Sequence, residues 1–140
     1  MDVFSAIEIN SSGMSAERKR LNIISSNIAN ARTTRTEDGG PYRRRDVVFK
    51  EVMLPELDKN DAKEAPAVAV DKILENEDDS ILKYEPSHPD ADENGYVEYP
   101  NISVVKEMVN MITSTKSYEA NATSVRAAKD MAKKALNIVT

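Results

Sequence analysis

Residues 101–139 read NISVVKEMVNMITSTKSYEANATSVRAAKDMAKKALNIV. Every seventh residue from Val104 is uncharged: Met111, Tyr118, Val125, Ala132 and Val139. A second row, Met108, Thr115, Ala122, Lys129 and Leu136, is apolar or small except at Lys129. Two rows offset by four residues make the narrow seam of a coiled coil. Pro100 keeps the helix from starting earlier, and Asn101 and Ser103 are both good N-caps. No Gly or Pro interrupts the segment. At 1.5 Å per residue it is roughly 57 Å long, more than a domain of this size covers, so it needs a partner helix.

The other end of the chain carries a matching stripe. Ile7, Met14, Leu21 and Ile28 recur at sevens, flanked by Val3, Ile24, Ala31 and Phe4. Asp2 is placed to cap this helix. Gly13 inside it costs up to about 1 kcal/mol relative to Ala and marks a close helix approach or a weak point. The two ends therefore read as helices able to pair with each other. An ordinary two-helix core accounts for the pattern equally well.

Between the helices the signals change. Three Thr in 33–36 favour extended backbone, and Glu37-Asp38-Gly39-Gly40-Pro41 is a turn. Residues 42–54 read as a strand, stopped at Pro55, and 57–67 as a charged surface loop. Two short strands are expected at 68–74 and 80–84, with an acidic turn at 75–79. An exposed loop follows at 86–94, and a last strand at 96–99. The expected fold is mainly α with a small β-rich insertion. Residues 1–36 and 101–140 form a discontinuous coiled-coil core domain, and 37–100 an extended, β-rich insertion.

Composition agrees. Of 140 residues 40% are hydrophobic but only 5% aromatic, with no Trp, which suits helices touching along a seam better than a thick core. Without Cys there is no disulfide or thiolate chemistry. No basic start followed by an apolar run marks a signal peptide, and no stretch of about 18 apolar residues marks a membrane span. The net charge of −5 is segregated: +3 over 1–50, −11 over 51–100 and +3 over 101–140.

Few residues suggest chemistry. Asp90, Asp92, Asn94 and Gly95 fit the first half of a calcium loop. The twelfth position is Asn101 where a bidentate Glu is needed, and Pro86, Pro89 and Pro100 break the flanking pattern. An exposed acidic turn is the plainer reading, and a calcium-dependent interaction module the alternative. His88, the only histidine, lies in a loop with no nucleophile or metal partner spaced to it. Arg43-Arg44-Arg45, with Arg32 and Arg35, raises nucleic-acid binding, but the acidic pI and the lack of a binding motif oppose it. A charged hairpin that pairs with the acidic middle, in the same or a neighbouring subunit, fits better. No phosphate-cradling glycine motif occurs. The residues describe a non-enzymatic module that associates, with no cofactor, no metal and no small-molecule substrate.

Several motifs also resemble a family. Ser26-Asn27-Ile28-Ala29-Asn30-Ala31 with Thr33-Thr34-Arg35 resembles the N-terminal signature of bacterial flagellar rod and hook proteins. Glu107-Met108-Val109-Asn110-Met111-Ile112, then Tyr118-Glu119-Ala120-Asn121, resembles their C-terminal signature. Gly39-Gly40-Pro41-Tyr42-Arg43-Arg44, and the run from Gly95 to Ile102, narrow the resemblance to the proximal rod protein C (FlgC) family of the basal body. It covers residues 1–50 and 94–140, and 55–93 carries no family motif. Lys116-Ser117 departs from the Arg-Ala usual before the tyrosine but keeps the charge.

The resemblance implies a periplasmic drive shaft that carries torque to the hook, with terminal helices lining its inner tube and the insertion packed outside. It implies export through the flagellar type III apparatus without a cleaved signal. Expected partners are other rod subunits and copies of the chain, with the membrane-ring adapter as a further candidate, and no nucleic acid. The expected assembly contacts are Ile7, Met14, Leu21 and Ile28 on the first helix. On the second they are Val104, Met108, Met111, Tyr118, Ala122, Val125 and Leu136.

Overall fold

A computed structural model describes residues 3–54, 65–77 and 80–139. Six elements follow in order: α1 (Val3–Ala29), β1 (Arg45–Leu54), β2 (Ala65–Glu75), β3 (Ile81–Tyr84), β4 (Tyr96–Tyr99) and α2 (Val104–Val139). Two long terminal helices bracket a small strand-rich middle, as the hydrophobic pattern indicates. They pack against each other, with Asn27 near Glu107 and Gly13 near Asn121, so they run antiparallel.

The start of α2 and the end of α1 each have a local cause. Ser103 is the cap of α2: its hydroxyl accepts the Lys106 N–H at 3.4 Å, and its carbonyl accepts the Glu107 N–H at 3.0 Å. At the end of α1 the Ser26 carbonyl accepts both the Asn30 backbone N–H at 3.0 Å and the Asn30 side-chain amide at 2.9 Å, which folds that side chain back onto the last turn. Thr33 then folds back on Asn30, through its N–H to the Asn30 carbonyl and its hydroxyl to Oδ1.

β1 and β2 form one antiparallel ribbon, in register from Arg45↔Glu75 to Leu54↔Ala65 with a bulge between Val48 and Phe49. β2 begins earlier than the sequence suggests: 65–67 belong to the strand, not to a loop. Pro66 lacks an N–H but sits where the ribbon has no third strand to donate to. Small Ala67 is buried where β2 lies along α1, beside Val68, whose N–H donates to Ser12 Oγ at 3.1 Å. β1 starts at Arg45, three residues later than expected, because Tyr42 is still bonded to the loop through its N–H to the Thr33 carbonyl at 3.0 Å.

β3 and β4 form a second, separate antiparallel pair, Ile81↔Tyr99 to Tyr84↔Tyr96. Gly95 enters β4 at φ +82°, and a Cβ there would stand 2.9 Å from Tyr84, so only glycine fits. The expectations for the Asp2 cap, the stop at Pro55, the loop at 57–64 and the Asp78-Asp79 part of the acidic turn lie outside the described residues. No described helix is long and apolar enough to cross a membrane.

Candidate assembly interface

The joint between the helices and the ribbon is polar. Asn27, at the end of α1, is fully buried, and its side chain treats Arg45 as a strand partner. Its Nδ2 donates to the Arg45 carbonyl at 2.7 Å and its Oδ1 accepts the Arg45 N–H at 3.0 Å. The same amide donates to Glu107 Oε2 at 3.2 Å and accepts from the Tyr42 hydroxyl at 3.1 Å. Glu107, in the first turn of α2, is 1% exposed. Its other oxygen accepts from Arg44 Nε at 2.8 Å. Burial lowers the Arg44 pKa, but the hydrogen bonds and charges of Glu107 and Asp46 outweigh it, so the net shift is upward. No described buried side-chain polar atom is left without a partner.

The arginine cluster is thus largely spent within the chain. Arg45 reaches Glu75 at 2.8 Å and Arg35 approaches Asp90 at 3.8 Å, so part of it pairs with the acidic middle. The half calcium loop is occupied as a turn: Asp92 Oδ1 accepts the N–H groups of Asn94 and Tyr96, and Asp90 Oδ2 accepts the Thr34 hydroxyl. Among the described residues no group of three or more His, Asp or Glu is placed to hold a metal ion. His88 Nδ1 accepts the Asp90 N–H at 3.1 Å within that same loop.

Between the helices the seam differs from the expected one by a single position. The row of α2 that meets α1 is Glu107, Ser114, Asn121 and Ala128, three residues on from Val104 rather than four. Ser114 is fully buried and donates to Glu17, and Asn121 abuts Gly13. A Cβ on Gly13 would lie 2.8 Å from Asn121 Nδ2, so Gly13 is a point of close approach. The sequence pattern missed this row because its members are polar or small. Repetition at sevens was the available signal.

The named contact residues divide accordingly. Ile7, Met14, Leu21 and Ile28 on α1, and Val104, Met111, Tyr118, Ala122 and Val125 on α2, are half-buried along the flanks of the pair. Met108 and Leu136 are exposed. Met108 belongs to a stripe with Val105, Val109 and Ile112, which are 51%, 73%, 57% and 56% exposed in that order. The spacing i, i+3, i+4, i+7 puts all four on one face of α2, turned away from α1. The four make a contiguous apolar stripe that no described residue of the chain covers.

Comparison with known proteins meets the same elements. Residues 7–35 match the family model for flagella basal body rod proteins, and residues 93–138 the model for the C-terminal region of flagellar basal body rod FlgEFG proteins. The chain is 41% identical to the flagellar basal-body rod protein FlgC of Borreliella burgdorferi, over 99% of both chains. It is 38% identical to that of Bacillus subtilis, again over 99% of both. To that of Aquifex aeolicus it is 43% identical, over 94% of this chain and 92% of the relative. A rod-family match on each terminal helix and identity of this level along nearly the whole length show that the chain belongs to the FlgC family of flagellar basal-body rod proteins.

Proposed function

We propose that this chain, a structural subunit of the flagellar basal-body rod, works without catalysis as part of the shaft that crosses the periplasm and carries torque from motor to hook. It reaches the rod through the flagellar export apparatus. Its neighbours are copies of itself, other rod subunits and the adapter at the membrane ring. Residues 1–36 and 101–140 act as the discontinuous helical domain that builds the inner tube, and 37–100 lies outside it.

The observation that carries this reading is the stripe of Val105, Met108, Val109 and Ile112. Fully burying a side chain of this size from full exposure yields about 1.5–3 kcal/mol, and covering the half or more of each of the four that is still exposed yields a corresponding share of it. Torque needs many lateral contacts along a rigid element, and a long helix pair with an apolar outer face supplies them.

The test is complementation of a motile cell that lacks its own copy. Met108→Asp combined with Ile112→Asp places two charges on the stripe. Both positions are exposed in the single chain, so its melting temperature should hold while swimming is lost. Arg126→Asp, a charge change at another exposed position of α2, should still swim. Undiminished swimming by the double variant at equal expression would remove the stripe from the interface.

A further inference from the structure

We infer that Glu107 is a positioning residue that fixes the register of the antiparallel helix pair. α2 has 36 residues and α1 has 27. The excess of nine exceeds one heptad, so α1 has room to slide seven residues toward the C-terminal end of α2 with no loss of overlap. The seam opposes that slide only weakly: Glu17, which takes the Ser114 hydroxyl, would meet Asn121, seven residues on and also a donor. In the slipped register Gly13 meets Ala128 instead of Asn121, one small seam residue in place of another. Small residues and short donors that repeat at sevens distinguish one heptad from the next only weakly.

Glu107 does distinguish them. It is 1% exposed, and its partners are not part of a repeat: Arg44 at 2.8 Å and Asn27 at 3.2 Å. Arg44 is held at the end of α1 because Asn27 grips the Arg45 backbone through both of its hydrogen bonds. A slide of one heptad would draw Glu107 off both Arg44 and Asn27, while Arg44 would keep only Asp46 at 3.1 Å. A buried polar group at a seam position selects one alignment in this way, even where an apolar replacement would be as stable. The register in turn decides where the outer stripe of α2 stands relative to the ribbon. This role belongs to the single chain, whatever it assembles with.

The chain has no cysteine, so introduced pairs report register directly. A Cβ on Gly13 lies 3.3 Å from Asn121 Cγ, which suits a disulfide in the native register. Gly13→Cys with Asn121→Cys reads that register, and Gly13→Cys with Ala128→Cys reads the slip. In the dilute full-length chain the first pair should oxidise at least about tenfold faster than the second, as one dominant alignment requires. With Glu107→Leu and Arg44→Met added, the two rates should come within about threefold while the melting temperature stays at or above the parent's, since an apolar pair replaces a buried ion pair without loss. A merely stabilising role predicts the opposite, a lower melting temperature with the native preference intact. That result would overturn the inference, as would equal rates of the two pairs in the unaltered background.

Discussion

At the scale of single residues, Asn27 does the most. One amide closes four hydrogen bonds, to Arg45 twice, to Tyr42 and to Glu107. Asn27→Asp keeps the shape and removes both donors, leaving a carboxylate against the Glu107 carboxylate and the Arg45 carbonyl. The expected cost is about 3 kcal/mol or more in chemical denaturation, the scale of an unpaired buried charge. A cost under about 1 kcal/mol, the worth of one ordinary hydrogen bond, would show that the joint does not depend on this amide. Tyr99 supplies a pH dependence. Its hydroxyl donates to Glu85 Oε2 at 2.9 Å. That bond, then burial and the Glu85 charge, raise the Tyr99 pKa above its usual value, with Arg32 pulling the other way. A group whose folded pKa is raised contributes stability below its unfolded pKa of about 10 and loses it as pH climbs through the folded value. The parent should therefore be more stable than Tyr99→Phe at about pH 8, and the difference should shrink toward pH 11. Parallel melting profiles for the two proteins over that range would contradict this.

At the scale of elements, the helices were legible and their contact row was not. Periodicity shows where apolar residues lie, and it placed both helices and the strands β1, β3 and β4 within a few residues. It cannot show that Glu107, Ser114 and Asn121 face inward, because inward polar residues are acceptable only with partners, and partners are a property of the fold. Asn27, Tyr42 and Arg44 stood in the sequence as family motifs without a visible reason. The reason is their meeting at one joint with Glu107. Ala65 and Pro66 read as loop because both are poor strand formers, and pairing with Leu54 and Met53 of β1 overrode that preference. Gly13 was ambiguous between a weak point and a close approach, and the 2.8 Å distance to Asn121 decides it. Gly13→Ala gains up to about 1 kcal/mol of helix propensity but drives its Cβ into the Asn121 amide. It should destabilise the parent and stabilise an Asn121→Ala background, which a double-mutant cycle reads as coupling. Additive effects would mean that the Asn121 side chain moves aside freely.

At the scale of the whole molecule, order should be graded, because burial is. Where α1 and α2 overlap, the seam is buried and every buried polar group has a partner among the described residues. The β1–β2 ribbon has α1 along one side only, and Ile73 and Leu74, although close to the Arg45 joint, are exposed. The β3–β4 pair is the thinnest part. Each strand has four residues, every residue of β3 is exposed, and Val97 is the only buried residue of β4. A two-stranded pair this short is marginal alone: Tyr99 to Glu85 and the Tyr84–Tyr96 edge contact at 5.4 Å hold it together internally, and Thr34 and Arg35 tie its loop to the rest of the chain through Asp90. Local opening free energy follows buried apolar contact, so amide exchange should rank the elements. In the free subunit, protection should be greatest where the helices overlap, near Ile24 and Ser114. It should be intermediate in the half of β2 near Val68, and least in Ile81–Tyr84. Protection in β3 equal to that of the helix overlap would mean that the second strand pair opens only with the whole chain. In that case Asp90 and Glu85 would be bonds of the global fold rather than local ties, and Asp90→Ala would lower the melting temperature as much as a change at Asn27.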